Sequence, residues 1–140
     1  MNQQEKDLDF GEKYEKLNLS ILSKYFECDE LKTTEGYRNP YDYIDKKKRV
    51  IIELKSRRNT KERYYDTMIG YNKILTGFIH IRNRYKVYLC FQFTNGLFYY
   101  QLDDKTYDTK WIRVGGRSDR GTLEINQYCY IPNKILTKII

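Results

Sequence analysis

One apolar run that ends in charge constrains the fold of this chain more than any other feature. Arg49-Val50-Ile51-Ile52-Glu53-Leu54-Lys55 is strand-like, and its apolar residues Val50, Ile51 and Ile52 are consecutive. A half-buried strand alternates, whereas a continuous run needs cover on both faces, so this strand is expected at the centre of a sheet. Tyr41-Asp42-Tyr43-Ile44 before it is short and β-prone, and Asp45-Lys46-Lys47-Lys48 between the two is polar. The segments read as a β-hairpin. Glu53 and Lys55 are then charges at the end of a buried strand.

Parity on that hairpin selects among the nearby acids, because side chains alternate faces with a period of two. With the turn centred on Lys46-Lys47, Ile44 pairs with Arg49, Tyr43 with Val50 and Asp42 with Ile51. Directly opposed residues share a face. Asp42 therefore joins Ile51, Glu53 and Lys55, while Asp45 falls on the other face. A one-residue slip would reverse the choice.

Two carboxylates and an ammonium on one buried-side patch need a physical reason, since unpaired buried charge is strongly unfavourable. A divalent cation removes the repulsion between the carboxylates. Mg²⁺ takes oxygen ligands, keeps several waters, and is typically held by one or two carboxylates plus substrate phosphate. Asp42 and Glu53 supply such ligands, with Mn²⁺ as a substitute ion. The metal would polarise the phosphate and acidify a bound water, and Lys55 would position that water or neutralise the pentavalent phosphate. A lone E-x-K is more often a surface ion pair. Here the triplet ends an apolar strand, follows a carboxylate at matching parity and precedes a basic segment.

The remaining elements follow from spacing. Phe10, Tyr14, Leu17, Ile21 and Tyr25 predict a helix over about residues 10–26, with Asp9 as its cap and Glu12 completing a capping box. A weak strand and a turn follow, ending at Gly36-Tyr37-Arg38-Asn39-Pro40. Thr60 as a cap, with Tyr64, Met68, Tyr71, Ile74 and Leu75, predicts a second helix over about 60–75. Lys86–Phe93 reads as a strand, Thr94-Asn95-Gly96 as a turn and residues 97–102 as the return strand. Then come Trp111-Ile112-Arg113-Val114, a loop rich in glycine and arginine at 115–121, and a tail from Tyr128 to Ile140. The order is α-β-β-β-α-β-β, a mixed α/β domain.

Composition narrows the function classes. A chain of 140 residues fits one domain, and 40% apolar with 32% charged residues reads as globular rather than disordered. No run reaches the roughly 18–20 apolar residues of a membrane span, and Met1-Asn2-Gln3-Gln4-Glu5-Lys6-Asp7 lacks a signal-peptide core. An intracellular location is expected. Cys28, Cys90 and Cys129 are odd in number and widely spaced, which speaks for reduced thiols and against a zinc site. His80, the only histidine, has no nucleophile motif around it and reads as structural. The net charge of +7 and pI of 9.2 favour a polyanionic partner without specifying one. The chain has no alanine and is rich in Tyr, Ile, Lys and Asn, a bias that suits an AT-rich genome such as that of a virus or phage.

Asp42, then Glu53-Leu54-Lys55 after a short turn, with a helix before and a helix after, resembles the PD-(D/E)XK nuclease superfamily, which includes restriction enzymes and Holliday-junction resolvases. The resemblance implies a restriction-endonuclease-like α-β-β-β-α-β core with a mixed sheet flanked by helices. That core would cover roughly residues 10–93, with a C-terminal β extension. It maps the family's acidic positions onto Asp42 and Glu53 and its lysine onto Lys55, although Pro40 lies two residues before Asp42 instead of adjacent. A G-x-x-x-E pattern on the first helix gives Glu15 as a further metal ligand, with Glu12 as the competing choice. A polar residue on the helix after the E-x-K strand often assists in this superfamily, and Lys73 or Tyr71 fills that place. A lysine near a helix C-terminus is the bland reading of Lys73. The tail (Asn95-Gly96-Leu97-Phe98-Tyr99-Tyr100, Trp111, Gly116-Arg117-Ser118-Asp119-Arg120 and Tyr130-Ile131-Pro132) resembles the ends of nuclease-like proteins of large DNA viruses.

The function implied is metal-dependent hydrolysis of DNA phosphodiesters, with branched or structured DNA suiting the small size and a homodimer compatible with it. Arg57 and Arg58 beside the site, Lys73, and Arg117 and Arg120 in the far loop are candidate phosphate contacts. No helix-turn-helix or zinc-finger pattern is present to read bases. An inactive nucleic-acid binder of the same fold and an RNA nuclease are the alternatives.

Overall fold

The computed structural model describes residues 2–34, 41–105, 107–117 and 124–140. The turn expected at 36–40, Arg120 and the side chain of Arg117 lie outside the described residues. Helix α1 spans Gln3–Tyr25. It starts earlier than Asp9 because Asn2 caps it: the Asn2 side chain accepts from the Glu5 N–H at 2.8 Å. The first turns are polar and carry no apolar signal of their own. The helix ends where Glu27 takes a left-handed φ of 55°.

Strands β1 (Lys32–Thr33), β2 (Tyr43–Asp45) and β3 (Val50–Ser56) follow. The hairpin pairs Tyr43 with Ile52, Ile44 with Ile51 and Asp45 with Val50. This is two residues away from the register expected of a tight turn at Lys46-Lys47. Asp45 causes the shift. It is fully buried, its Oδ1 accepts from the Lys48 N–H at 2.9 Å, and its Oδ2 accepts from the Glu30 N–H at 3.3 Å. That local bond opens a longer loop closed by Arg49 at φ 57°. A shift of two preserves parity, so Asp42 stays on the face of Ile51, Glu53 and Lys55.

The helix expected over 60–75 is instead three things: a short 3₁₀ turn at Lys61–Arg63, strand β4 (Asp66–Gly70) and helix α2 (Tyr71–Arg82). Thr67 and Ile69 are buried while Asp66, Met68 and Gly70 are less so, a period of two. The spacing of Tyr64, Met68 and Tyr71 imitates a helix only by coincidence. Strands β5 (Lys86–Phe93), β6 (Gly96–Gln101), β7 (Ile112–Arg117), β8 (Glu124–Pro132) and β9 (Thr137–Lys138) complete the chain. Gly115 and Gly116 therefore belong to β7 rather than to a loop. A Cβ on Gly115 would lie 2.5 Å from the Tyr130 hydroxyl, so the residue must be small.

The main sheet runs β1-β2-β3-β5-β6-β9, with β3 and β5 parallel and the other pairs antiparallel. A second sheet, β4-β8-β7, lies against it. Leu22 of α1 packs with Tyr43, Ile52, Leu54, Cys90 and Leu97 on one face. Ile74 of α2 and Ile69, Cys129 and Ile131 of the second sheet pack with Ile51, Leu89, Phe91 and Phe93 on the other. The run Val50-Ile51-Ile52 is thus covered on both sides. The fold is a mixed α/β architecture of the restriction-endonuclease-like type. Among the described residues no helix is long and apolar enough to cross a membrane.

Candidate active site

The β2–β3 pair splays where β2 begins, and this opening assembles the site. The Asp42 N–H still bonds the Ile52 carbonyl at 3.1 Å. One step further along β3, the Leu54 N–H donates at 2.6 Å to Asp42 Oδ2, so a carboxylate stands where a strand carbonyl would. That bond fixes Asp42 against the edge of the central strand. Glu15 approaches from α1, whose position is tied down by the Tyr43 hydroxyl donating to the Glu15 carbonyl oxygen.

Glu53 lies at the middle of this arrangement and is only 2% exposed. Two ammonium groups share its Oε1: Lys55 Nζ at 3.2 Å and Lys73 Nζ at 3.5 Å. Its Oε2 is buried without a hydrogen-bond partner among the described residues. Burial first, and then the charge of Asp42, lift the Glu53 carboxyl to about 7 against the pull of Lys55 and Lys73. Glu15 is lifted to about 8, first by burial, then by a hydrogen bond with Asp42 and the charges of Asp42 and Glu53. The three carboxyls therefore sense one another. Glu12 is exposed and acts on Glu15 only as a weak additional charge.

Lys73 belongs to the first turn of α2, not to a helix C-terminus. Its carbonyl oxygen accepts from the Tyr41 hydroxyl at 2.8 Å, and its ammonium lies 5.9 Å from the centre of the Tyr41 ring. Tyr41 is thus a buttress of the site that sequence reasoning passed over. It carries no local signal, because its partner lies 32 residues away. Tyr71 packs against the core beside α2. His80 sits edge-on to Tyr41 and Tyr85, with burial lowering its pKa.

The basic link is drawn inward to different degrees. The Arg57 guanidinium donates to the Met68 carbonyl oxygen and to Thr67 Oγ1, bracing β3 against β4. Arg58 pairs with Asp7 at 3.0 Å and lies 4.5 Å from the centre of the Phe10 ring, on the outer surface of α1.

Donor chemistry tests the fit of a divalent cation. Among the described residues no three Asp, Glu, His or Cys side chains are already arranged to hold an ion. A buried carboxylate oxygen without a donor, next to a second carboxylate, does suit an ion held by two carboxylates and completed by water and phosphate. Asp42 and Glu53 are those two, with Glu15 within hydrogen-bond reach of Asp42.

The family model described as "Phage putative PDDEXK endonuclease" matches residues 5–139. No curated protein and no solved structure matches the chain.

Proposed function

The chain belongs to the family of phage putative PDDEXK endonucleases, and from that premise we propose that it hydrolyses DNA phosphodiester bonds with Mg²⁺, or Mn²⁺ in its place, at the centre formed by Asp42, Glu53 and Lys55. The observation that carries this reading is Glu53. A carboxylate buried in the middle of a central strand, with two ammoniums on one oxygen and no hydrogen-bond partner on the other among the described residues, is poorly explained as a structural ion pair.

Asp42 and Glu53 would hold the metal, with Glu15 at its side. When bound, a divalent cation polarises a phosphate oxygen and lowers the pKa of water. Leu54, through its backbone N–H, keeps Asp42 aimed at the site. Lys73 orients Glu53 from the more buried side, its side chain 19% exposed. Lys55, at 36%, has the more open head and supplies a donor for the attacking water or for charge growing on the phosphate. Arg58, half-exposed while paired with Asp7, would reach flanking phosphates, and Arg117, Arg120 and Arg57, which also braces β4, are further candidates. Structured or branched DNA is the proposed substrate class, cut by one copy of the chain or by a homodimer.

The test is nicking of supercoiled plasmid by the full chain. Cutting is expected with Mg²⁺ or Mn²⁺ and not in EDTA. Undiminished cutting in chelator excludes the mechanism. Binding without cutting under any metal favours an inactive binder, and cutting confined to RNA reassigns the substrate.

A further inference from the structure

Beside the second sheet lies a pocket of about 280 Å³ that the chemistry above leaves unused. Arg57, Asn59, Tyr64, Thr67, Phe93 and Tyr130 line it. Arg57 is its link to the catalytic centre. Arg57 directly follows the last residue of β3, two residues beyond Lys55 and about 7 Å away at strand rise, and its guanidinium reaches Met68 and Thr67 of β4. The Arg57 N–H still bonds the Gln92 carbonyl of β5 at 2.8 Å, which brings Phe93 alongside.

The wall of the pocket is built rather than loose. Asn133 Nδ2 donates to the carbonyls of Lys61 and Tyr64 at 2.9 and 3.0 Å, and Asn95 Oδ1 accepts from the Lys61 N–H at 3.0 Å. This anchored backbone nevertheless leaves Tyr64 and Tyr65 at 59% and 70% exposed. Aromatic rings held out to water by a fixed backbone are a contact surface without a core role. The acid of the lining, Asp66, is neutralised by Arg113 at 2.6 Å, and the Arg113 guanidinium lies 4.0 Å from the centre of the Tyr130 ring. The pocket thus joins aromatic faces, an amide and guanidinium charge.

We propose that this pocket takes one unpaired nucleobase of the strand held at the Asp42–Glu53–Lys55 centre, with the base against Tyr64 and Arg57 and Asn59 along its polar side. The assignment rests on the nuclease reading of that centre. The volume lies just below the range of about 300–1,000 Å³ usual for drug-sized ligands, which suits a single planar heterocycle. A base in a duplex is held by its neighbours and its partner and has to leave the stack to enter such a site. Aromatic stacking with adjacent positive charge is the chemistry that takes bases without regard to sequence. The substrate class that follows is DNA with an unpaired nucleotide next to the scissile phosphate: a branch, loop or single-stranded end.

The experiment compares binding of a labelled single-stranded oligonucleotide and its blunt, fully paired duplex to the full chain in EDTA, by fluorescence anisotropy. Wild type is expected to bind the unpaired probe about tenfold or more tightly than the duplex. Tyr64→Ala is expected to weaken the unpaired probe by about five- to a hundredfold, with duplex affinity and Tm unchanged, and Tyr64→Phe to retain wild-type binding. Equal affinity of wild type for both probes, or wild-type affinity of Tyr64→Ala for the unpaired one, overturns the proposal. The same proteins are assayed for cleavage in Mg²⁺. Cleavage without a Tyr64 effect on binding discards the pocket and leaves the nuclease, whereas discrimination without cleavage supports the pocket and removes the nuclease.

Discussion

Lys55 and Lys73 reach the same oxygen of Glu53, at 3.2 and 3.5 Å, but only Lys55 presents a third of its side chain to solvent. Lys55→Ala is accordingly expected to keep folding and Ca²⁺-supported DNA binding while slowing single-turnover cleavage by roughly a hundred- to thousandfold, the loss typical of a donor aimed at transition-state charge. An unchanged cleavage rate would return Lys55 to the status of an ion-pair partner. The two aspartates of the hairpin separate in a complementary way. Asp42→Asn should abolish cleavage with little change in Tm. Asp45→Asn should leave the rate per folded molecule intact but cost about 1–3 kcal/mol, because a buried acceptor of two backbone N–H groups is replaced by an amide. Parity alone separates the faces of these two residues, so that distinction was legible in the sequence. The structural task of Asp45 was not, since the Glu30 N–H it accepts from lies 15 residues away.

Among the elements, α2 shows how the second half of the site is made. Gly77 faces Leu102 and Tyr41 so closely that a Cβ there would meet Leu102 Cδ2 at 2.5 Å and the Tyr41 hydroxyl at 3.0 Å. The same hydroxyl bonds the Lys73 carbonyl. Helix propensity by itself says that Gly77→Ala stabilises by about 1 kcal/mol. Overpacking predicts the opposite, a loss of about 1–3 kcal/mol, together with slower cleavage as Lys73 is pushed from Glu53. Thermal melts beside a cleavage assay decide between these, and a raised Tm would show that α2 has room to move. The β3 strand and the β5–β6 hairpin are readable locally, from a continuous apolar run and from Asn95-Gly96. Strand β4 is not, because its pairing partner β8 is some sixty residues distant and its apolar residues also satisfy a helical spacing.

At the scale of the whole molecule, the clustered carboxyls couple stability to pH. Glu53 and Glu15 rise from 4.5 to about 7 and about 8 in the metal-free protein. The folded chain thus holds protons that the unfolded chain releases above about 4.5. The stabilisation is complete below that pH and is lost as pH climbs through 7 and 8. In EDTA, Tm is therefore expected to fall between pH 5 and pH 8. Glu53→Gln should remove a part of that slope on the order of 3 kcal/mol, and Mn²⁺ at pH 8 should raise Tm of the wild type by binding the folded state alone. A Tm that is flat or rising over this range in EDTA would mean that burial and the neighbouring carboxylates do not lift these two carboxyls. What the sequence by itself determined is what period and composition control: a central strand ending in Glu53-Leu54-Lys55, a hairpin before it, and Asp42 on the matching face. These follow from alternation and burial within a short window, and they survive an error of two in the register. Only the tertiary structure brought Glu15 beside Asp42, set Lys73 on Glu53, turned Arg57 toward β4 and placed the Tyr64 pocket next to the site. Each of these depends on contacts between segments far apart in the chain, whose energies no local window contains.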